Sequence, residues 1–165
     1  MMKKFLSILL FLILCINCRA QIKLHIQELR KSENLIKLQI SAKNISESDS
    51  VLFYFPRDSS VFMALINVTF QNEETGKIHK YYPSDELLDI DRLWVNKHNS
   101  VLLYPGYSHV FEQDIDLRRI APFLKKERKH LLSVHLSYEY GNLETDLGHK
   151  IFKGSAKSNT IEITN

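Results

Sequence analysis

The chain of 165 residues carries only two cysteines, Cys15 and Cys18, and both lie within its first twenty residues. If that stretch is removed, no disulfide is left to staple the rest. Small extracellular domains that bury too little surface usually depend on such bridges. The remaining chain, 21–165, is long enough to bury an ordinary core without them. A cysteine nucleophile leaves with the same stretch. Glycine is scarce as well, with 5 in all, so no glycine-rich loop cradles a phosphate, and no serine sits in a G-x-S-x-G nucleophile elbow. The longest apolar run, Phe5–Ile16, falls short of the ~20 residues that a membrane span needs.

That run follows Lys3 and Lys4 and precedes small and polar residues around Ala20. This is the three-part pattern of an export signal. Cleavage after Ala20 would use Cys18 and Ala20 as the small residues at −3 and −1 and leave Gln21 in front. Acylation of Cys18 competes with it, but the lipobox wants a Leu-like residue at −3 and Gly, Ala or Ser at −1. Cys15 and Asn17 stand there instead, so a lipid anchor at Cys18 is disfavoured. The expectation is a signal peptide over 1–20 and a single domain over 21–165, secreted or periplasmic.

Processing also removes the apparent basicity. Lys3, Lys4 and Arg19 leave with no acid, so 22 basic residues become 19 and match the 19 acidic ones. Nucleic-acid binding draws on a Lys and Arg excess, so no nucleic acid is expected as a partner. The cluster "LKKERKH" at 124–130 contains Glu127 and reads as a solvated turn. Asn44-Ile45-Ser46 and Asn67-Val68-Thr69 match the glycosylation acceptor pattern, which matters only in a eukaryotic secretory route.

Beyond residue 21 the dominant signal has a period of two. Ile22, Leu24 and Ile26 alternate with Lys23, His25 and Gln27, and Ile36, Leu38, Ile40 and Ala42 repeat the pattern. "NISESDS" is turn chemistry, "VLFYF" a short strand, and Val61–Phe70 a long one whose Phe62, Ala64, Ile66, Val68 and Phe70 share a face. "NEETGK" turns the chain at Gly76 so that "IHKYY" returns as a hairpin partner. Ser84 and "DELLDIDRLW" read as a capped helical turn. "SVLLYPGYSHVFEQDIDL" places Pro105-Gly106 in a turn. Residues 132–140 form a central strand, and "SNTIEIT" the last one. The expected fold is all-β, an antiparallel sandwich of about seven to nine strands with one or two short helical insertions.

The order "NLIKLQISAKNISESDSVLFY", "LLYPGYSHVFEQDIDL", "LLSVHLSYEY", "KSNTIEIT" resembles immunoglobulin-like domains of bacterial exported proteins and, distantly, the Bacillus intracellular proteinase inhibitor type. The resemblance implies that Pro105 and Gly106 end one edge of the sandwich and that Ser158 and Asn159 open the last strand. The chain departs from the pattern at His130 and Leu132, where such domains often carry Gly and Tyr.

His25, His79, His98, His109, His130, His135 and His149 show no ligand-like spacing and read as surface histidines on wet strand faces. Asp89 with Asp91 and Asp114 with Asp116 have a spacing that can meet Ca²⁺, but lack the ligand-rich loop such a site needs. No cofactor and no metal are expected. Tyr81, Tyr82, Trp94, Tyr104 and Tyr107 fall in or beside loops, where aromatic side chains are enriched at recognition surfaces. The functional expectation is a non-enzymatic binding or assembly module of the bacterial cell envelope, its partner another envelope or secreted protein. The alternative is a protease inhibitor acting through "YPGYS" or "NEETGK". A hydrolase built from scattered His and Asp is the third class.

Overall fold

The computed structural model describes residues 22–56, 65–83, 93–124, 128–138 and 142–164. In chain order the strands are β1 (Ile22–Lys31), β2 (Leu35–Asn44), β3 (Val51–Tyr54), β4 (Ile66–Asn72), β5 (Ile78–Tyr81), β6 (Leu93–Trp94) and β7 (Ser100–Leu103). They continue with β8 (Ser108–Asp116), β9 (Lys129–Ser137), β10 (Leu143–Glu144), β11 (Lys150–Ile151), β12 (Ser155–Lys157) and β13 (Ile161–Thr164). A 3-10 turn, Leu117–Arg119, is the one helical element among the described residues. The chain is therefore all-β, as its alternation predicts.

The first sheet runs β1-β2-β8, antiparallel throughout. Ile22, Leu24 and Ile26 are buried while Lys23, His25 and Gln27 are exposed, and the register sets Leu24 opposite Ala42 and Ile26 opposite Ile40. A bulge between Glu28 and Arg30 breaks that order, and Leu29 is turned out to solvent there. The largest sheet runs β12-β9-β4-β5, with β13 also on β9. Strand β9 is central, as expected, with β4 on one side and β12 and β13 end to end on the other. Ile66, Val68 and Phe70 of β4 share its buried face, and β5 returns from the Gly76 turn (φ 68°) as the hairpin partner. Strand β3 lies between β11 and β7, and all four of its residues are buried, which is why "VLFY" reads as a continuous apolar run.

The inner faces of these sheets feed one apolar cluster, with β1 touching β9, β12 and β13 across it. Phe53 and Phe70 are fully buried within it. Emptying a site of that size costs ~3–5 kcal/mol.

Several expectations need correction. Thirteen strands appear among the described residues rather than seven to nine. Pairs such as β6 with β10 and β11 with β3 are two residues long, too short to leave a period-two signature, and they run parallel. The end of the expected helical segment, Leu93–Trp94, is strand; residues 84–92 lie outside the described residues, as do Phe62, Ala64, Asp89, Asp91 and the 1–20 segment. The last strand begins at Ile161 rather than Ser158, because Ser158 and Asn159 lie in the link between β12 and β13 instead of opening the strand. His130 is not on a wet face: it is 2 % exposed, its Nδ1 3.0 Å from the Arg128 carbonyl and its Nε2 3.5 Å from Asn72 Nδ2. The carbonyl can only accept, so Nδ1 carries the proton and Nε2 faces the amide as acceptor.

Candidate functional site

Strand β7 belongs with β3 and strand β8 with β2, so the link between them must change sheets within a few residues. Tyr104-Pro105-Gly106-Tyr107 does this, with Gly106 at φ 79°, a backbone that a side-chain-bearing residue rarely adopts. The turn closes on itself through Tyr107 N donating to Tyr104 O at 3.0 Å. It is also tied to the end of β2: Asn44 N donates to Tyr107 O and Gly106 N to Asn44 O, each at 2.9 Å.

Asn44 completes the brace with its side chain, which is fully buried. Nδ2 donates to the carbonyls of Asp49 at 2.8 Å and Leu103 at 2.9 Å, and Oδ1 accepts from Ser46 N at 2.9 Å. One amide therefore holds both the 45–50 turn and the start of the tyrosine turn. A buried amide with its bonds satisfied rigidifies what it joins. Its burial also answers the acceptor triplet at Asn44: that nitrogen is enclosed by the fold.

On this brace Tyr104 is 54 % and Tyr107 67 % exposed, with ring centroids 6.0 Å apart in an edge-to-face arrangement. Ile45, next to Asn44, is also exposed. The group presents apolar ring faces and phenolic hydroxyls on a fixed backbone.

The other aromatic candidates stand elsewhere. Trp94 is 52 % exposed, and its carbonyl accepts from Asn99 Nδ2 at 2.8 Å just before β7 begins. Tyr104 follows the end of β7, so the two are roughly 15 Å apart by the rise of an extended strand. Tyr82 is exposed beyond β5, in the other large sheet. Tyr81 is not a surface residue: it is buried on β5, with the Arg119 guanidinium 5.4 Å from its ring centroid. The five aromatics thus do not form one surface; Tyr104 and Tyr107 do come together.

Titratable groups gather less. His109 lies on the inward side of β8 opposite Ala42, its ring 4.5 Å from that of Phe55, with a buried Nε2 that has no hydrogen-bond partner. Burial pushes its pKa down. This differs from the expected surface histidine because the register of β8 turns residue 109 toward the core. Asp116 caps the 3-10 turn by accepting from Arg118 N at 2.9 Å, and Arg118's hydrogen bonds hold its carboxyl down at about 2. Asp114 lies 3.9 Å from Lys37. The Asp114 and Asp116 pair is therefore spent on protein cations. Among the described residues no three of His, Cys, Asp and Glu meet in a metal-holding group. A cavity of about 450 Å³ opens between the β4–β5 turn and residues 122–123, lined by Asn72, Thr75, Lys77, His79, Pro122 and Phe123.

No family model matches the chain, and no curated protein matches it. A selenomethionine-labelled β-glucosidase from Kluyveromyces marxianus is similar in structure at 15 % identity and a TM-score of 0.37, over 88 % of this chain. The chain spans 14 % of that protein's length.

Proposed function

We propose that this chain is an exported, non-enzymatic binding or assembly module of the bacterial cell envelope, folded as an immunoglobulin-like sandwich. The fold reading is supported by two antiparallel sheets that share one apolar cluster. The functional reading is carried by the Tyr104 and Tyr107 pair, exposed at the surface on a turn that the buried Asn44 braces. Rigid aromatic side chains on a preorganised backbone bind with little ordering cost. The test is chemical crosslinking in intact envelopes followed by recovery of the protein, comparing the native chain with the Tyr104→Ser/Tyr107→Ser variant. A component captured by the native chain and lost in the variant is expected. Identical capture by both would remove the tyrosine turn as the contact surface.

The same brace favours a second reading, a protease inhibitor that inserts "YPGYS" into an enzyme cleft, because inhibitor loops work by being held rigid. Inhibition of at least one member of a protease panel, lost on Tyr104→Ser, is the outcome it requires.

A further inference from the structure

We propose that the tyrosine turn rests on a lipid surface, with Tyr104, Tyr107 and Ile45 at the interface and the Lys23 and Lys43 pair against anionic head groups. The inference deepens the binding-module reading and rests on it.

The first observation is where the chain begins. Ile22, the first residue of β1, lies opposite Asn44, and Asn44 is hydrogen-bonded in both directions to the tyrosine turn. The start of β1 and the exposed tyrosines therefore share one end of the fold. In the sequence Cys18 stands four residues before Ile22, and the apolar run ends at Ile16. An extended chain spans at most ~3.5 Å per residue, so Cys18 lies within roughly 14 Å of Ile22 and Ile16 within roughly 21 Å. An acyl group on Cys18 would therefore hold this end at the head groups, whereas cleavage after Ala20 leaves the tyrosines and the lysine pair to bind unaided.

The second observation is the chemistry found there. Tyr104, Tyr107 and Ile45 are all exposed. Tyrosine is enriched at membrane interfaces because its ring is apolar and its hydroxyl wet. One row in from that end, Lys23 and Lys43 are direct partners across β1 and β2 and both are exposed. Like charges directly opposite each other work against the sheet. An anionic surface reverses that repulsion, because polybasic groups are drawn to acidic lipids. In the neighbouring turn Asp49 is held by Lys150 at 2.6 Å, which leaves exposed Glu47 against the two lysines.

The test uses the processed protein from producing cells and vesicles of phosphatidylethanolamine and phosphatidylglycerol with brominated acyl chains. Trp94 is the chain's single tryptophan and lies beyond the far end of β7 from the turn. Two proteins are compared: the native chain, reporting from Trp94, and the Tyr107→Trp/Trp94→Phe variant, reporting from the turn. The variant's fluorescence is expected to be quenched on vesicle binding while that of the native chain is not. For protein without acyl chains, Tyr104→Ser/Tyr107→Ser should lower vesicle affinity at least about tenfold. Lys23→Gln/Lys43→Gln should weaken binding to the anionic vesicles and leave binding to uncharged ones as it was. Quenching at Trp94 rather than at the turn, or no tyrosine-dependent vesicle binding, overturns the inference. If vesicles fail but tyrosine-dependent capture of an envelope protein persists, the partner is a protein: the lipid inference falls and the binding module stands. Failure of both removes both.

Discussion

Asn159 holds Ile26 from both sides: its Oδ1 accepts from the Ile26 N–H at 2.7 Å and its Nδ2 donates to the Ile26 carbonyl at 3.1 Å. A single side-chain amide thus satisfies, for β1, the two backbone groups that a neighbouring strand would have paired. Ser158 acts likewise on β9, its N–H donating to Val134 O and its hydroxyl accepting from Val134 N, both at 2.9 Å. Together they stitch the first sheet to the central strand of the largest one, at the point where β12 hands over to β13.

Asn159→Ala should therefore destabilise the protein by about 1–3 kcal/mol, since both Ile26 groups lose their partner at once. Urea denaturation measures the loss, and hydrogen exchange at the Ile26 amide should quicken ahead of its β1 neighbours. A variant with unchanged midpoint and unchanged Ile26 protection would show that the amide is an ornament of the surface.

Asn44→Ala should cost more locally, about 2–3 kcal/mol, because the Leu103 carbonyl is left buried without that donor and the 45–50 turn loses its anchor. The tyrosine turn keeps its backbone bonds to residue 44, so the Tyr104 and Tyr107 rings should loosen without unfolding. Near-ultraviolet circular dichroism and the thermal midpoint read the two effects separately.

These two residues mark the limit of what the sequence discloses. Period-two alternation identifies β1, β2, β4 and β9 because each has one face in the core and one toward polar surroundings. It fails for β6, β10 and β11, which are two residues long; His109 and His130 obey it, sharing the inward side with Phe111 and Ile115 and with Leu132 and Val134, and only the polarity of histidine suggests an outward side. It also cannot tell which loops meet. Tyr104 and Tyr107 were legible as loop aromatics from Pro105-Gly106 between them, whereas Tyr81, with the same loop-edge character, is covered by its sheet and by Arg119. Asn44 reads as a turn residue or an acceptor triplet. Its role as a brace depends on Leu103, nearly sixty residues away in sequence. The facing of Lys23 and Lys43 is likewise invisible until the β1–β2 register is known.

The N-terminus offers a test independent of the fold. Cleavage after Ala20 gives an exported chain starting at Gln21, whereas acylation gives one starting at a lipid-bearing Cys18. Intact-mass measurement of the exported protein is expected to return the Gln21 species, or its cyclised form. Cys18→Ser should then change nothing, because Ser remains small at position −3. A lipid mass on Cys18, with release from the membrane in the Cys18→Ser variant, would replace ordinary cleavage by anchoring.

Stability should respond to pH through His109. Its Nε2 is buried without a partner beside the Phe55 ring, and burial sets the folded-state pKa below the ordinary 6.5. The folded protein then binds this proton less readily than the unfolded chain, so stability rises with pH in that window. His109's cost is absent well above pH 6.5, sets in as pH falls through that value, and stops growing once the lower folded-state pKa is passed. Asp116 behaves in the opposite sense of charge but acts further down: its stabilisation is present above 3.8 and is lost as pH falls toward about 2. The histidine limb sets in near 6.5 and the aspartate limb near 3.8, so the two onsets are separable in one titration of the urea midpoint. His109→Leu should flatten the midpoint between pH 7 and the foot of the histidine window and leave the acid limb intact, while Asp116→Asn should do the reverse. If His109→Leu retains the full slope near neutrality, the histidine is reached by solvent when it protonates, and the enclosed environment assigned to its ring is wrong.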